Sequence, residues 1–98
     1  MFARVAVYEV PGHRVDEAVK SFGEAITQLP REGLEEVYVL VSGDSDRAMT
    51  ITLWNKQDAM EASRISASRL RSDAAKAVEG SVQSVVEYEV ALHERTTS

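Results

Sequence analysis

The spacing of hydrophobic side chains changes several times along the chain, and each change predicts a new structural element. Residues 2–10 (FARVAVYEV) are β-branched or aromatic at many positions and precede Pro11 and Gly12, which predicts a strand ending in a turn. A helix is predicted next, because the following apolar residues recur every three or four positions: Val15, Ala18, Val19, Phe22, Ile26 and Leu29. Pro30 disfavours helical geometry in the residue before it, so we expect the helix to end at Leu29.

Two more strands are predicted at residues 34–42 (LEEVYVLVS) and 48–54 (AMTITLW). The segment between them, Gly43–Asp46, is rich in turn-forming residues and indicates a hairpin.

A long second helix is predicted over residues 56–78, because its inward stripe again has helical spacing: Met60, Ser63, Ala67, Leu70, Ala74 and Ala77. Asn55 with Asp58 is predicted to cap the start of this helix, and Gly80 to supply the left-handed residue at its end. Residues 82–92 form the predicted last strand.

The element order β-α-β-β-α-β predicts one ferredoxin-like α+β domain over residues 1–98. Right-handed crossovers place the first and third strands in the centre of an antiparallel sheet of order 4-1-3-2, with both helices on one face.

The sheet is predicted to be apolar on both faces, although the helices cover only one. The second strand has Val37, Val39 and Val41 on one side but Tyr38 and Leu40 on the other. Strand three has Met49, Ile51 and Leu53 on one side and Thr50, Thr52 and Trp54 on the other. Strand four is predicted to place its apolar residues on one side: Val82, Val86, Tyr88, Val90 and Leu92. We therefore expect a homodimer that packs sheet against sheet; a monomer with a moderately apolar surface is the alternative.

Composition narrows the class of protein. The 98 residues are 44% hydrophobic and 28% charged, with a net charge of −5, which is ordinary for a soluble globular chain and argues against a nucleic-acid partner. No window approaches the roughly 18 consecutive apolar residues of a membrane span. The sequence contains no cysteine, so disulfides and thiolate chemistry are excluded. We expect a cytoplasmic protein without a membrane partner.

The segment 49–54 (MTITLW), followed by 58–63 (DAMEAS), resembles the dimeric α/β-barrel superfamily, and within it the antibiotic-biosynthesis monooxygenase-like proteins. The beginning (FARVAVYEVPG) and the end (VVEYEVALHE) are also similar to members of this group. The resemblance implies a homodimer whose two sheets form a barrel, with a small cavity in each subunit. Characterised relatives include cofactor-free oxygenases of aromatic polyketides, which are oxidoreductases, and haem-degrading enzymes.

Trp54 is the residue that the resemblance carries over to this chain. The haem-degrading pattern has a histidine ten positions after the tryptophan, where this sequence has Arg64, so we expect neither haem degradation nor any cofactor. Within the oxygenase pattern, Trp54 would orient an aromatic ligand; alternatively, it is a core residue that closes the corner between strand and helix.

Arg4 is unusual in a strand of small and apolar neighbours. It could stabilise a developing substrate anion, or pair with Glu87 or Glu89 on the adjacent strand.

Four further residues are candidate substrate contacts. Tyr8, Tyr38 and Tyr88 could donate hydrogen bonds to a phenolic ligand, or could fill the barrel. Asn55 could direct its amide at a substrate, or could cap the following helix.

Other residue types indicate no further chemistry. His13 and His93 lie in a turn and near the C-terminus, without the acidic neighbours of a metal site, so we expect no metal. Arg64, Arg69 and Arg71 are predicted to lie on the solvated surface of the second helix. There is no phosphate-binding glycine motif.

The sequence therefore predicts a cofactor-independent monooxygenase-like protein that acts on a small aromatic or polyketide-like ligand. The alternative is a non-catalytic dimeric ligand-binding or stress-response module of the same fold. A cavity above about 150 Å³, lined by Trp54 and at least two convergent polar groups, would favour the enzyme.

Overall fold

The computed structural model describes residues 1–97. Its strands are β1 (Phe2–Glu9), β2 (Leu34–Ser42), β3 (Arg47–Trp54) and β4 (Ser81–Glu89). Its helices are α1 (Val15–Ile26), α2 (Gln57–Ala62) and α3 (Arg64–Ala77). A 3₁₀ turn at Gly12–Arg14 precedes α1. The strands form one antiparallel sheet in the order β2–β3–β1–β4. The predicted ferredoxin-like α+β fold and the strand order 4-1-3-2 are confirmed.

The core lies between the sheet and the helices, because alternate residues of the central strands point to that side. Ala6 and Tyr8 of β1 pack with Ala48 of β3 against Phe22 of α1 and Ala74 of α3. Small side chains on α3, such as Ala74 and Ala75, let that helix approach the sheet closely.

The first helix ends three residues before the predicted Leu29. After Ile26 the chain continues in tighter turns, in which the N–H of Gln28 donates to the carbonyl of Ala25 and that of Leu29 to Ile26. Such i→i+3 bonds commonly satisfy the last carbonyls of a helix. Leu29 still packs into the core at the end of this turn.

The predicted continuous helix over residues 56–78 is wrong, because the structure has two helices that meet at Ser63. The carbonyl of Met60 accepts a hydrogen bond from the Ser63 hydroxyl at 2.7 Å and another from the Arg4 guanidinium, also at 2.7 Å. Side-chain donors that occupy a helical carbonyl compete with the helical bond and interrupt the helix. Ser63 adopts φ −85° and ψ −7°, outside regular helical geometry.

Both predicted caps of this helical segment are wrong. Lys56, in extended conformation, occupies the N-cap position without a side-chain hydrogen bond, and the Asn55 N–H instead donates to the carbonyl of Gly33 at 2.8 Å. At the other end the left-handed residue is Glu79, with φ 57°, one position before the predicted Gly80. Gly80 has a different role, because a Cβ there would lie 2.7 Å from the carbonyl oxygen of Glu9.

The last strand ends at Glu89, which pairs with Phe2 at the beginning of β1, so residues 90–92 extend past the sheet. A bulge opposite Val7 and Tyr8 pairs Ser84 with Val7 but Val82 with Tyr8. The predicted face of Val82 is therefore wrong: the bulge turns it to the helix side, away from Val86 and Tyr88.

The sheet face opposite the helices is open and apolar. Large side chains on it are exposed by more than a third: Tyr38, Leu40, Val86 and Tyr88. None of the helices in residues 1–97 is long and apolar enough to cross a membrane.

Candidate functional site

A cavity of about 40 Å³ lies between the sheet and helices α1 and α3. Its helical walls are apolar and come from Phe22, Ala25, Ile26, Leu29, Ala67 and Leu70. Its polar groups come mostly from the sheet: Arg4, Tyr8, Thr50, Thr52 and, from α3, Arg71. We call this the inner cavity. An apolar wall facing a few convergent polar groups is the usual composition of a small-molecule site.

Arg4 is the most heavily bonded residue of this site, and only 4% of its surface is exposed. Its Nη1 donates to the Ser63 hydroxyl at 2.9 Å, and its Nη2 donates to the Met60 carbonyl at 2.7 Å and to Glu87 Oε2 at 2.9 Å. The predicted cross-strand ion pair with Glu87 is confirmed, whereas Glu89 pairs in register with Phe2. Arg4 thus joins β1, β4 and the junction of α2 with α3.

Glu87 is shared between two arginines. Its Oε2 binds Arg4, while its Oε1 accepts a hydrogen bond from Arg64 Nε at 3.0 Å. The bond to Arg64, with a smaller contribution from Arg4, outweighs burial and lowers the pKa of Glu87. The carboxylate therefore stays ionised and neutralises part of the positive charge of this region.

Trp54 is fully buried on the helix side of the sheet, the face of Thr50 and Thr52 that strand alternation favours. Its indole N–H donates to the Thr52 hydroxyl at 3.0 Å, and the Arg4 guanidinium lies 5.9 Å from its ring centroid. Trp54 does not itself line the inner cavity. It contacts Arg4 and Thr52, which do line the inner cavity.

Tyr8 presents the only phenol of the inner cavity. Its hydroxyl shares a 2.8 Å hydrogen bond with the hydroxyl of Thr50, and its ring packs 4.3 Å from that of Phe22. Burial raises the pKa of Tyr8, against the smaller effects of the Thr50 bond and of Arg71. The phenol is therefore a neutral hydrogen-bond donor at physiological pH.

Arg71 lines the inner cavity, although its charge suggested the solvated surface of the helix. Among residues 1–97 it forms no ion pair. Burial lowers its pKa, Tyr8 raises it, and the nearby charge of Arg4 lowers it further. The spacing could have revealed this position, because residue 71 lies four after Ala67 and three before Ala74, on the inward stripe.

The other predicted site residues lie elsewhere. Tyr38 and Tyr88 are 44% and 52% exposed and lie on the open face of the sheet, so they cannot act in the same cavity as Tyr8. Asn55 is exposed at the bend after β3 and is not part of the cavity wall. The structure therefore brings together Arg4, Tyr8 and, behind them, Trp54.

The two histidines are also remote from the cavity. His13 lies in the exposed 3₁₀ turn and His93 beyond the end of β4. Within residues 1–97, no three His, Asp or Glu side chains come close enough to hold a metal ion.

No protein-family model matches the sequence, and a search of curated proteins finds no match. Solved structures, in contrast, match it over almost its whole length. A candidate antibiotic biosynthesis monooxygenase from Deinococcus radiodurans has a TM-score of 0.70 and 12% identity, with 100% of both chains covered.

Two further matches have described activities. The haem degrader MhuD from Mycobacterium tuberculosis, solved with two haems in its active site, has a TM-score of 0.70 and 21% identity, covering 97% of this chain and 100% of that one. SnoaB, a cofactor-independent oxygenase from Streptomyces nogalater, has a TM-score of 0.65 and 13% identity, with 94% of each chain covered. The chain therefore has the fold of the antibiotic-biosynthesis monooxygenase-like proteins, as the resemblance of its sequence predicted.

Proposed function

We propose that this protein is a cofactor-independent monooxygenase-like enzyme that oxidises a small aromatic or polyketide-like ligand in the inner cavity. The observation that carries the proposal is the convergence of Arg4, Tyr8 and Arg71 on one apolar cavity. Such a site suits a flat apolar molecule that becomes negatively charged during the reaction. The fold shared with SnoaB, a cofactor-independent oxygenase, supports the proposal.

The proposed chemistry requires a substrate whose anion is rich enough in electrons to react with dioxygen directly. For a methylene between two hydroxylated aromatic rings, loss of a proton gives the anion. Addition of O₂ to its carbon and loss of water then give a carbonyl, so that one oxygen atom enters the product and the other enters water.

The residues of the cavity would act on the charge of that anion. Tyr8 donates a hydrogen bond to the forming oxyanion, while Arg4 and Arg71 supply positive potential beside the buried Tyr8 and Thr50. Trp54 holds Arg4 and Thr52 in position from behind.

The size of the cavity favours a second candidate. About 40 Å³ has room for one or two water molecules, whereas a benzene-sized ligand needs a cavity of roughly 150 Å³. Trp54 is also absent from its wall. The alternative is a non-catalytic dimeric module of the same fold, in the ligand-binding or stress-response class, and a stress-response module requires no larger space. The enzyme proposal requires α1 and α3 to separate when the ligand binds.

The decisive experiment measures oxygen consumption by the purified protein with electron-rich hydroxyaromatics, 1,8-dihydroxyanthrone first. We expect turnover above the uncatalysed rate, reduced at least about tenfold in Tyr8→Phe and in Arg4→Ala. Trp54→Phe should also lower the rate.

Arg69→Gln is the control, because Arg69 is an exposed arginine of the same helix that does not line the cavity. Turnover that is equal in Tyr8→Phe and the parent protein, or absent for the whole panel, would leave the non-catalytic module as the better proposal.

The proposal includes a homodimer formed through the open face of the sheet. Tyr38, Leu40, Val86 and Tyr88 are each exposed by more than a third there, and full burial of such a side chain stabilises by about 1.5–3 kcal/mol. Together these side chains could offset a large part of the cost of association. A second copy covers this face most economically, because a two-fold axis places the same patch on both partners.

Light scattering at micromolar concentration tests the dimer. We expect twice the 10.8 kDa mass of one chain. Leu40→Glu, which places a charge on the open face in the edge strand β2, should give the monomer with its fold intact by circular dichroism. A parent protein of monomer mass at every concentration would contradict the dimer.

A further inference from the structure

A second depression lies on the other side of α3, between that helix and β4. It has a volume of about 360 Å³ and is lined by Arg4, Arg64, Ser68, Arg71, Val85 and Glu87. We call it the outer groove. Arg4 and Arg71 line both the outer groove and the inner cavity, so the two spaces are adjacent at these two residues.

The outer groove carries more positive than negative charge. Three of its residues are arginines, and Glu87 is its single acid. The carboxylate of Glu87 is already shared, with one oxygen on Arg4 and the other on Arg64. Arg71 forms no ion pair with any of residues 1–97. This local excess contrasts with the net charge of −5 of the whole chain.

The donors of the groove are aligned along one face of α3. Arg64, Ser68 and Arg71 are separated by four and three residues, a spacing that places side chains one above the other on a helix. Their groups are hydrogen-bond donors that an anion with two or three oxygens can satisfy together, and a guanidinium binds a carboxylate through two parallel hydrogen bonds.

We propose that the outer groove binds the carboxylate of an organic ligand whose apolar body occupies the inner cavity, with Arg71 as the residue that selects for it. This inference rests on the proposed function for the position of the apolar body and for the separation of α1 and α3 that makes room for it. It adds a substrate class: aromatic acids are bound in preference to the corresponding neutral compounds. Arg71 is thereby a specificity-determining residue, and Arg64 and Ser68 complete the site.

A matched pair of ligands tests the proposal: 2-naphthoate carries the acid, and 2-naphthalenemethanol has the same ring system with a neutral group. Dissociation constants are measured by NMR titration of the full chain. We expect the acid to bind at least about tenfold more tightly, since a hydrogen bond to a charged group contributes about 1.5–3 kcal/mol. In Arg71→Gln this ratio should fall to near one, with the affinity for the alcohol little changed.

Two controls distinguish binding in the outer groove from a general attraction of the anion to positive charge. Arg69→Gln removes the same charge from an exposed position of α3 and should keep the ratio of the parent protein. Acetate, which is the anion without the ring, should bind far more weakly than 2-naphthoate. Equal affinity for the acid and the alcohol, no detectable binding of either, or an equal loss in Arg69→Gln and Arg71→Gln would overturn the proposal.

The result of this binding experiment is distinguishable from that of the oxygen-consumption experiment, which tests the proposed function. A preference for the acid that depends on Arg71, in a protein that consumes no oxygen, supports the outer groove and refutes the oxygenase. Turnover of neutral hydroxyaromatics without such a preference supports the oxygenase and refutes the outer groove.

Discussion

Replacement of Arg4 by methionine tests the bonding network at the centre of the site. Methionine retains much of the aliphatic contact with Trp54 but removes every hydrogen bond of the guanidinium. Because Arg4 is 4% exposed, water cannot replace those bonds. Breaking a buried ion pair by removal of one partner costs about 3–5 kcal/mol, and a single hydrogen bond to a charged group about 1.5–3 kcal/mol.

The structure places the expected cost below the range for a broken buried ion pair. Glu87 keeps its second partner, Arg64, and the carbonyl of Met60 keeps the hydrogen bond from Ser63. We therefore expect Arg4→Met to lower the free energy of unfolding by about 2–3 kcal/mol, which leaves a chain of this size folded.

Urea denaturation is the assay, followed through the fluorescence of Trp54, the only tryptophan of the chain. A double-mutant cycle with Glu87→Gln should give a coupling free energy of about 1–2 kcal/mol. A cost below about 0.5 kcal/mol for Arg4→Met, or a coupling near zero, would refute the view that this network stabilises the fold.

Two further predictions concern single residues. The native pKa of Glu87 lies below the usual 4.5, so its stabilising contribution is present at neutral pH and is lost as the pH falls through the native value. The midpoint of urea denaturation should therefore fall less between pH 5 and pH 2 in Glu87→Gln than in the parent protein. An equal fall in both proteins would contradict the lowered pKa. Glu79 has a φ of 57°, in the left-handed region that favours glycine. Glu79→Gly should therefore raise the free energy of unfolding by about 0.5–1 kcal/mol, measured by thermal denaturation. An equal gain in Glu79→Ala would count against backbone strain as the cause.

The fold could be predicted from the sequence because local patterns of residues specify each helix and strand. The stripe of α1, the hairpin residues and the β-branched strands each specify their element without distant contacts, and the strand order follows from general rules of handedness. The break at Ser63 could not be predicted, because one of the two side chains that bind the Met60 carbonyl is Arg4, which lies 59 residues from Ser63 in sequence. The bulge beside Val82 likewise depends on how two distant strands pair.

The candidate site was only partly accessible to sequence reasoning. The sequence identifies Arg4 as a charged residue in an apolar strand and Tyr8 as one of three tyrosines, and both line the inner cavity. Residue type alone groups Tyr38 and Tyr88 with Tyr8, although they lie on the opposite face of the sheet. The charge of Arg71 predicts a solvated position, but its spacing from Ala67 and Ala74 is that of the inward stripe, and it lines the inner cavity. Helical spacing was the better guide there, since long arginine side chains can extend from a buried stripe towards solvent.

The contacts of Arg4 also have a consequence for how this sequence can diverge. The residues at positions 4, 63 and 87 come from three separate segments and satisfy one another's hydrogen bonds. A relative with an aliphatic residue at position 4 has no guanidinium to compete for the carbonyl at position 60. Substitutions at these three positions should therefore occur together among homologues, and where they do, α2 and α3 should join into one uninterrupted helix.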